Sequence, residues 1–467
     1  MIGTKAGVVV CALLLAGCTA DKPAPETNVP NFTPGAQGIG DDYFPTYGNG
    51  GYDVAGYDLN LRYDPKSGEL NGTATITATA TQDLSRFDFD FANLSASGVT
   101  IDGSVATSDQ SGAELVITPP TGIVKGKLFT VVVDYAGKPT TLANKALGEG
   151  GWLRTDDGGF ALGQPESAST WYPVNDHPSD KATFKLAMAV PDGVEVISNG
   201  VPGPRDSANG WTTWKWSEAA PMASYLTTVV IGQYRITSST HDRKPMIVAI
   251  PDSLPANGAA AKSIQRTGEI ADFLATKFGL YPFDAYGGIV LDDPRIGYAL
   301  ETQTRPVYGS SFFREAPNTT VVAHELAHQW FGNSVALERW QDIWLNEGFA
   351  TYAEWLWDEH EGESTVQEDF SREYDEMDWA VPPGDPGPNR IFGDAVYKRG
   401  AMTLQALRDT IGDAAFFALL KSWAADHRNG NATTDDFIAA AERAAGGKDL
   451  GPLFQAWLFG TTKPPVP

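Results

Sequence analysis

The chain has 467 residues, 42% hydrophobic and 20% charged, which is enough length and apolar content for roughly two to three domains with a sizeable core. Lys and Arg number 34 against 58 Asp and Glu, and the net charge of −24 repels phosphate backbones and anionic headgroups, which disfavours a nucleic-acid partner. The 49 Gly and 31 Pro exclude a coiled-coil rod, and because both cysteines, Cys11 and Cys18, lie near the N-terminus, the rest of the chain holds no disulfide, thiolate site or cysteine nucleophile.

At the N-terminus Lys5 precedes an apolar run from Ala6 to Ala16, the pattern of a secretory signal over residues 1–17. The run is well short of the ~20 residues that span a bilayer. Leu15-Ala16-Gly17-Cys18 resembles the box of bacterial lipoproteins, in which cleavage precedes the cysteine and lipid is attached to its sulfur. An exported, extracytoplasmic protein held at the cell membrane by a lipid on Cys18 is therefore expected; an ordinary signal with an incidental cysteine is the plainer alternative. Residues 18–42 are polar with scattered Pro and Gly and read as a flexible tether.

From Tyr43 to Ile236 apolar and polar residues alternate, as in Phe87-Asp88-Phe89-Asp90-Phe91 and Phe184 to Val190, with turn signals at Asn71-Gly72 and Asp192-Gly193. This predicts a largely antiparallel β domain over 43–236. After His241 the period changes. Ile264, Ala271, Leu274 and Phe278 line one face of a helix stopped by Gly279, and further helices are marked by Met402 to Leu407, Phe416 to Trp423, the cap Thr434-Asp435-Asp436, and Leu453 to Leu458. Strands are expected within Ile289 to Tyr308. The fold class is thus multi-domain α+β, with a mostly helical second domain over 237–467 carrying a small sheet.

Any nitrogen-ligand chemistry falls to six histidines. His324-Glu325-Leu326-Ala327-His328 sits in a helical pattern capped by Asn318 or Thr319 and ended by Phe331-Gly332-Asn333. Imidazoles at i and i+4 project from one helix face and can share one Zn²⁺, with Glu325 beside the metal's open position. Zinc lowers the pKa of a bound water toward 7, and a neighbouring carboxylate can take the proton as that water attacks a carbonyl. A catalytic zinc needs a third protein ligand, and Glu347 opens a second helix that the turn after Phe331 can bring alongside the first. Glu354, two turns further on the same face, is either a carboxylate orienting a histidine or a solvated helix residue.

H-E-x-x-H, eighteen residues, then the glutamate of Asn346-Glu347-Gly348 resembles the gluzincin aminopeptidases of the aminopeptidase N type. Three further segments carry the likeness: Gln164 to Phe184 with Trp171-Tyr172-Pro173, Tyr298-Ala299-Leu300-Glu301-Thr302 beside the family's G-x-M-E-N, and Tyr397-Lys398-Arg399-Gly400-Ala401 beside its Y-x-K-G-A. The resemblance implies a thermolysin-like catalytic domain, one Zn²⁺ per chain on His324, His328 and Glu347, and Glu325 as general base. It implies that Tyr397 donates to the oxyanion and that Glu301 binds the substrate's α-amino group. It implies that Tyr298, Ala299 and Leu300 contact the peptide, and that Gln164, or Glu166 if the alignment shifts by two, helps hold the amino end. The substrates would be peptides with a free N-terminus.

The chain also departs from the family pattern. Tyr298, Leu300 and Thr302 stand for Gly, Met and Asn, Arg399 stands for lysine and retains its charge, and the family's C-terminal helical domain has no counterpart, so an open site accepting longer peptides is expected. Other readings are an endopeptidase of thermolysin-like logic, which needs no Glu301, epoxide hydrolysis, which only the family's range suggests, and a non-catalytic surface protein keeping the fold.

Overall fold

A computed structural model describes residues 1–8, 31–144 and 147–466. The chain divides into two units, Met1–Asn31 and Phe32–Pro467. In the first, residues 1–8 form no regular element; Cys11, Cys18 and the other residues from 9 to 30 lie outside the described ones. Among the described residues no helix is long and apolar enough to cross a membrane.

In the second unit, the alternation of the first half becomes strands with one face buried. Along Tyr52–Asp64, Val54, Tyr57, Leu59, Leu61 and Tyr63 point into the core while Asp53, Asp58, Asn60 and Arg62 face out. Val54 and Tyr57 are three apart, and a register shift between Val54 and Gly56 lets both face inward. This strand lies between Glu69–Ala80, antiparallel, and Lys181–Pro191, parallel, in a sheet continued by Leu128–Gly137 and Ser95–Ile101 on one side and Trp211–Ala223 on the other. A smaller sheet centres on Leu84–Asp90, and another runs through Gly148–Arg154, Gly159–Leu162, Val229–Gly232 and Glu195–Ser198.

Two expectations change here. The stretch 18–42, read as a tether, is held in place from Phe32 onward: Thr33 and Pro34 pair with Leu84 and Arg86, and Asp41 is 3% exposed. The Asp41 carboxylate accepts from the backbone N–H of Tyr43, Phe44 and Trp340 and faces His177 Nε2 at 3.2 Å. A polar segment with no hydrophobic pattern is ordered by backbone and carboxylate hydrogen bonds. The small sheet of the second half, in turn, begins before residue 237. Its order is Tyr234–His241, Lys244–Pro251, Tyr286–Leu291, Val307–Gly309 and Ala299–Leu300. Only Gln233 separates the strand Val229–Gly232 from Tyr234–His241, so no turn signal or change of period marks the division.

The helices are α1 (Ala259–Ile264), α2 (Thr267–Phe278), α3 (Thr320–Ala327), α4 (Trp344–Glu361), α5 (Val366–Glu376), α6 (Gly400–Ile411), α7 (Asp413–Asp426), α8 (Thr434–Ala444) and α9 (Gly451–Phe454). The single helix expected through Ile264 and Phe278 is broken at Gln265 and Arg266, and the Thr267 hydroxyl donates to the Ile264 carbonyl at 2.7 Å across the break. Its four apolar residues are nonetheless all buried. Helix α8 is capped one residue earlier than expected, by Thr433 in a reciprocal pair with Asp436. The two halves meet at Lys181, whose Nζ donates to the carbonyls of Asn333, Ser334 and Gly430 at 2.8, 2.9 and 3.3 Å.

Candidate metal and peptide site

Helix α3 starts where Asn318 Oδ1 accepts from the Val321 N–H at 3.2 Å, and it ends at Ala327, a few residues before the expected stop at Phe331. His328 is thus its C-cap, and Gly332, at φ +123°, turns the chain back toward α4. Each imidazole is fixed through Nδ1. That of His324 lies 2.5 Å from Glu354 Oε1, and that of His328 lies 3.0 Å from the Phe331 carbonyl. Glu354 therefore orients a histidine. With Nδ1 donating, Nε2 is left as the ligating atom of both rings.

The two Nε2 atoms lie 3.4 and 3.3 Å from Glu347 Oε2, and the ligand atoms of all three residues fall within 4.8 Å of one another. A tetrahedral cation with bonds of about 2.1 Å separates its ligands by about 3.4 Å, so the donors fit zinc in both spacing and type. Burial works to raise the Glu347 carboxyl, but the imidazoles hold it down to about 2, as an anion.

These residues open on a cleft of about 270 Å³. Glu325 lies in its wall, 5% exposed, with Oε2 lacking a hydrogen-bond partner among the described residues. Burial pushes its carboxyl up to about 8 against the pull of His324 and His328, a range suited to proton exchange near neutrality. The Tyr397 ring stacks 6.0 Å from that of His324. Burial, followed by the carboxylates of Glu347, Glu301 and Glu325, drives its phenol well above 10, so it stays a donor.

Glu301 follows the edge strand Ala299–Leu300 and is 3% exposed. Gln329 Nε2 and Asn333 Nδ2 donate to its carbonyl at 3.2 and 2.7 Å, while Gln164 Nε2 donates to its carboxylate at 3.2 Å. Gln164 thus reaches the cleft. Glu166 does not line it: the Glu166 carboxyl is pushed up to about 8 by burial and by Asp176. Tyr298 and Ala299 line the cleft as expected. Leu300 does not, because the strand's alternation turns it into the core at 1% exposure.

Sequence reasoning missed several residues of the site. Gly297, Val321 and Phe312 also line the cleft. Val321 stands three residues before His324 on the same helix face, a spacing that could have found it; Phe312 comes from a short turn, Ser310–Phe313, with no such signal. Tyr397 sits in a wide π turn, Ala395–Arg399, placed by a bare backbone crossing: a Cβ on Gly348 would meet Gly400 Cα at 2.8 Å. Arg399 does more than retain charge. Fully buried, it donates to the carbonyls of Trp457, Trp379, Val381, Ala456 and Gly460. A larger hollow of about 650 Å³, with Asp292, Asp293 and Arg295 in its wall, contains none of the ligand residues and lies apart from this chemistry.

Residues 54–226 match the peptidase M1 N-terminal domain and residues 304–457 match the peptidase family M1 domain. The curated relatives include Aminopeptidase M1 of Arabidopsis thaliana, 27% identical over an alignment of 441 residues, with coverage of 86% of this chain and 49% of the relative. Aminopeptidase N of Streptomyces lividans is 26% identical over 437 residues, with coverage of 86% and 49%. The chain spans about half the length of these relatives. Among solved structures, an M1 zinc metallopeptidase from Deinococcus radiodurans aligns with a TM-score of 0.85 at 30% identity, covering 92% of this chain and 99% of the other. A mutant of that peptidase bound to a Tyr-Ser-Ala substrate gives 0.84 at 30% identity, with coverage of 92% and 99%.

Proposed function

The chain belongs to peptidase family M1, and from that premise we propose that it is a zinc aminopeptidase that removes the first residue from peptides with a free amino end. The observation that carries this reading is the second cluster in the cleft, where ligand atoms of Glu301, Glu325 and His328 lie within 4.8 Å of one another. A fixed carboxylate that close to the reaction centre selects an ammonium and leaves room for one residue before the scissile bond.

His324, His328 and Glu347 hold the zinc, which when bound polarises the substrate carbonyl and acidifies water. Glu325 takes the proton of the attacking water and returns it to the leaving amine. Tyr397 donates its hydroxyl to the carbonyl oxygen as that oxygen gains charge. Glu301 and Gln164 hold the amino end, and Glu354 with the Phe331 carbonyl keeps both imidazoles turned to the metal. Purified protein should carry about one zinc per chain and hydrolyse unblocked aminoacyl amides, and Glu325→Gln should keep the zinc and lose about 10³-fold in kcat. Zinc at that level with no hydrolysis across a panel of amides would refute the reading.

We further propose that the protein is exported and anchored by lipid on Cys18, a reading supported by residues 1–18 alone. Whole-cell fractionation tests it: the protein should partition into detergent and take up labelled fatty acid, and Cys18→Ser should abolish both. Labelling that persists in the serine variant would rule out that attachment site.

A further inference from the structure

The β domain contributes Gln164 to the lining of the cleft, where it meets Glu301. Strand Trp211–Ala223 ends in a tight turn, Ser224–Leu226, that carries Tyr225 at 1% exposure with its ring 5.6 Å from that of Trp340. The backbone leading to Gln164 lies directly on this residue: a Cβ on Gly163 would stand 2.7 Å from the Tyr225 carbonyl oxygen and 2.8 Å from its Cα. Tyr225 and Gln164 are thus one packed unit, and Gln164 already donates to Glu301 Oε1.

The Tyr225 hydroxyl faces the Glu301 carboxyl and the Asn346 side chain without a hydrogen bond of ordinary geometry to either. Among the described residues both polar atoms of the Asn346 amide are also buried without a hydrogen-bond partner, and Asn346 adjoins the ligand Glu347. A buried phenol seeks an acceptor, and a buried carboxylate needs donors to stay charged. Burial pushes the phenol pKa well above 10, so the hydroxyl keeps its proton to give.

Resting on the aminopeptidase reading, we propose that Tyr225 is a positioning residue: its hydroxyl completes the seat of Glu301, so that the β domain fixes where the substrate's amino end stops. Tyr225→Phe removes the hydroxyl and keeps the ring against Trp340. In the zinc-loaded full chain, KM for an unblocked aminoacyl p-nitroanilide should rise about tenfold while kcat changes by less than about threefold, with zinc content unchanged. In a Glu301→Gln background the same substitution should move KM by less than about twofold, because the group it acts through is gone. An unchanged KM in the single variant overturns the inference, as does an equal rise in both backgrounds. Loss of zinc or of cooperative unfolding in the Phe variant also overturns it, since that assigns the hydroxyl to the metal or the fold. A wild-type chain inert on unblocked substrates would refute the aminopeptidase reading itself, and this inference with it.

Discussion

Gln164 and Glu166 are two residues apart, yet one holds the Glu301 carboxylate while the other is half-buried beside Asp176 and Glu114. The difference is testable through linkage. Because burial raises the Glu166 carboxyl to about 8, the folded chain keeps a proton there that the unfolded chain releases from about pH 4.5 upward. Stability contributed by this site is therefore lost as pH rises through that window. Glu166→Gln should flatten the decline by on the order of 1 kcal/mol and leave KM for aminoacyl substrates unchanged. Thermal unfolding of both proteins at about pH 6 and about pH 8.5, with kinetics alongside, checks this; a raised KM or an unaltered pH slope would contradict it. The two histidines were legible in the sequence because their i, i+4 spacing becomes a shared helix face, with Glu325 next to the first of them, and Glu347 because it opens a second helix that the turn after Phe331 can bring alongside. The choice between Gln164 and Glu166 was not, since it depends on how one loop meets Glu301, and Leu300 was misread because its motif carries no sign of which strand face meets the core.

The elements around the site are held by contacts between residues far apart in sequence. At the crossing of α4 with the π turn and α6, Gly348 and Gly400 let two backbones touch, which brings Glu347 and Tyr397 into the wall of one cleft. Gly348→Ala puts a Cβ 2.8 Å from Gly400 Cα and 2.9 Å from its carbonyl carbon. It should cost about 1–3 kcal/mol and lower both zinc affinity and kcat. Calorimetry and zinc titration read the two effects, and an alanine variant of wild-type stability and activity would remove the crossing from the account. Arg399→Lys should lower stability by about 2 kcal/mol or more, because one ammonium cannot serve five carbonyls gathered around a guanidinium. The positions of α2, α6, α7 and α8 and the existence of the second, small sheet followed from the sequence pattern, whereas α5 carried no expectation. Which glycines touch, and what Arg399 binds, depends on three-dimensional pairing that no local pattern encodes.

Across the whole molecule the β domain supplies working parts of the cleft as well as support. It provides Gln164, and through Lys181 it grips the loop that follows α3. Lys181→Met takes a donor from the carbonyls of Asn333, Ser334 and Gly430, the last of which keeps the Ala336 N–H, and should lower stability by about 2 kcal/mol; denaturant unfolding of the zinc-loaded protein reads it, and an unchanged midpoint would show that the halves are joined by other contacts. The change from alternating to helical period revealed two kinds of architecture in one chain, but the strand that begins the second sheet looks like those before it, and the ordering of residues 32–42 rests on hydrogen bonds rather than apolar pattern. The most direct test of the central claim compares one peptide with its N-acetylated twin on the zinc-loaded enzyme. The arrangement of Glu301 and Gln164 beside the metal ligands predicts release of the first residue from the free peptide and no cleavage of the acetylated one; equal cleavage of both, or cuts at internal bonds, would contradict it.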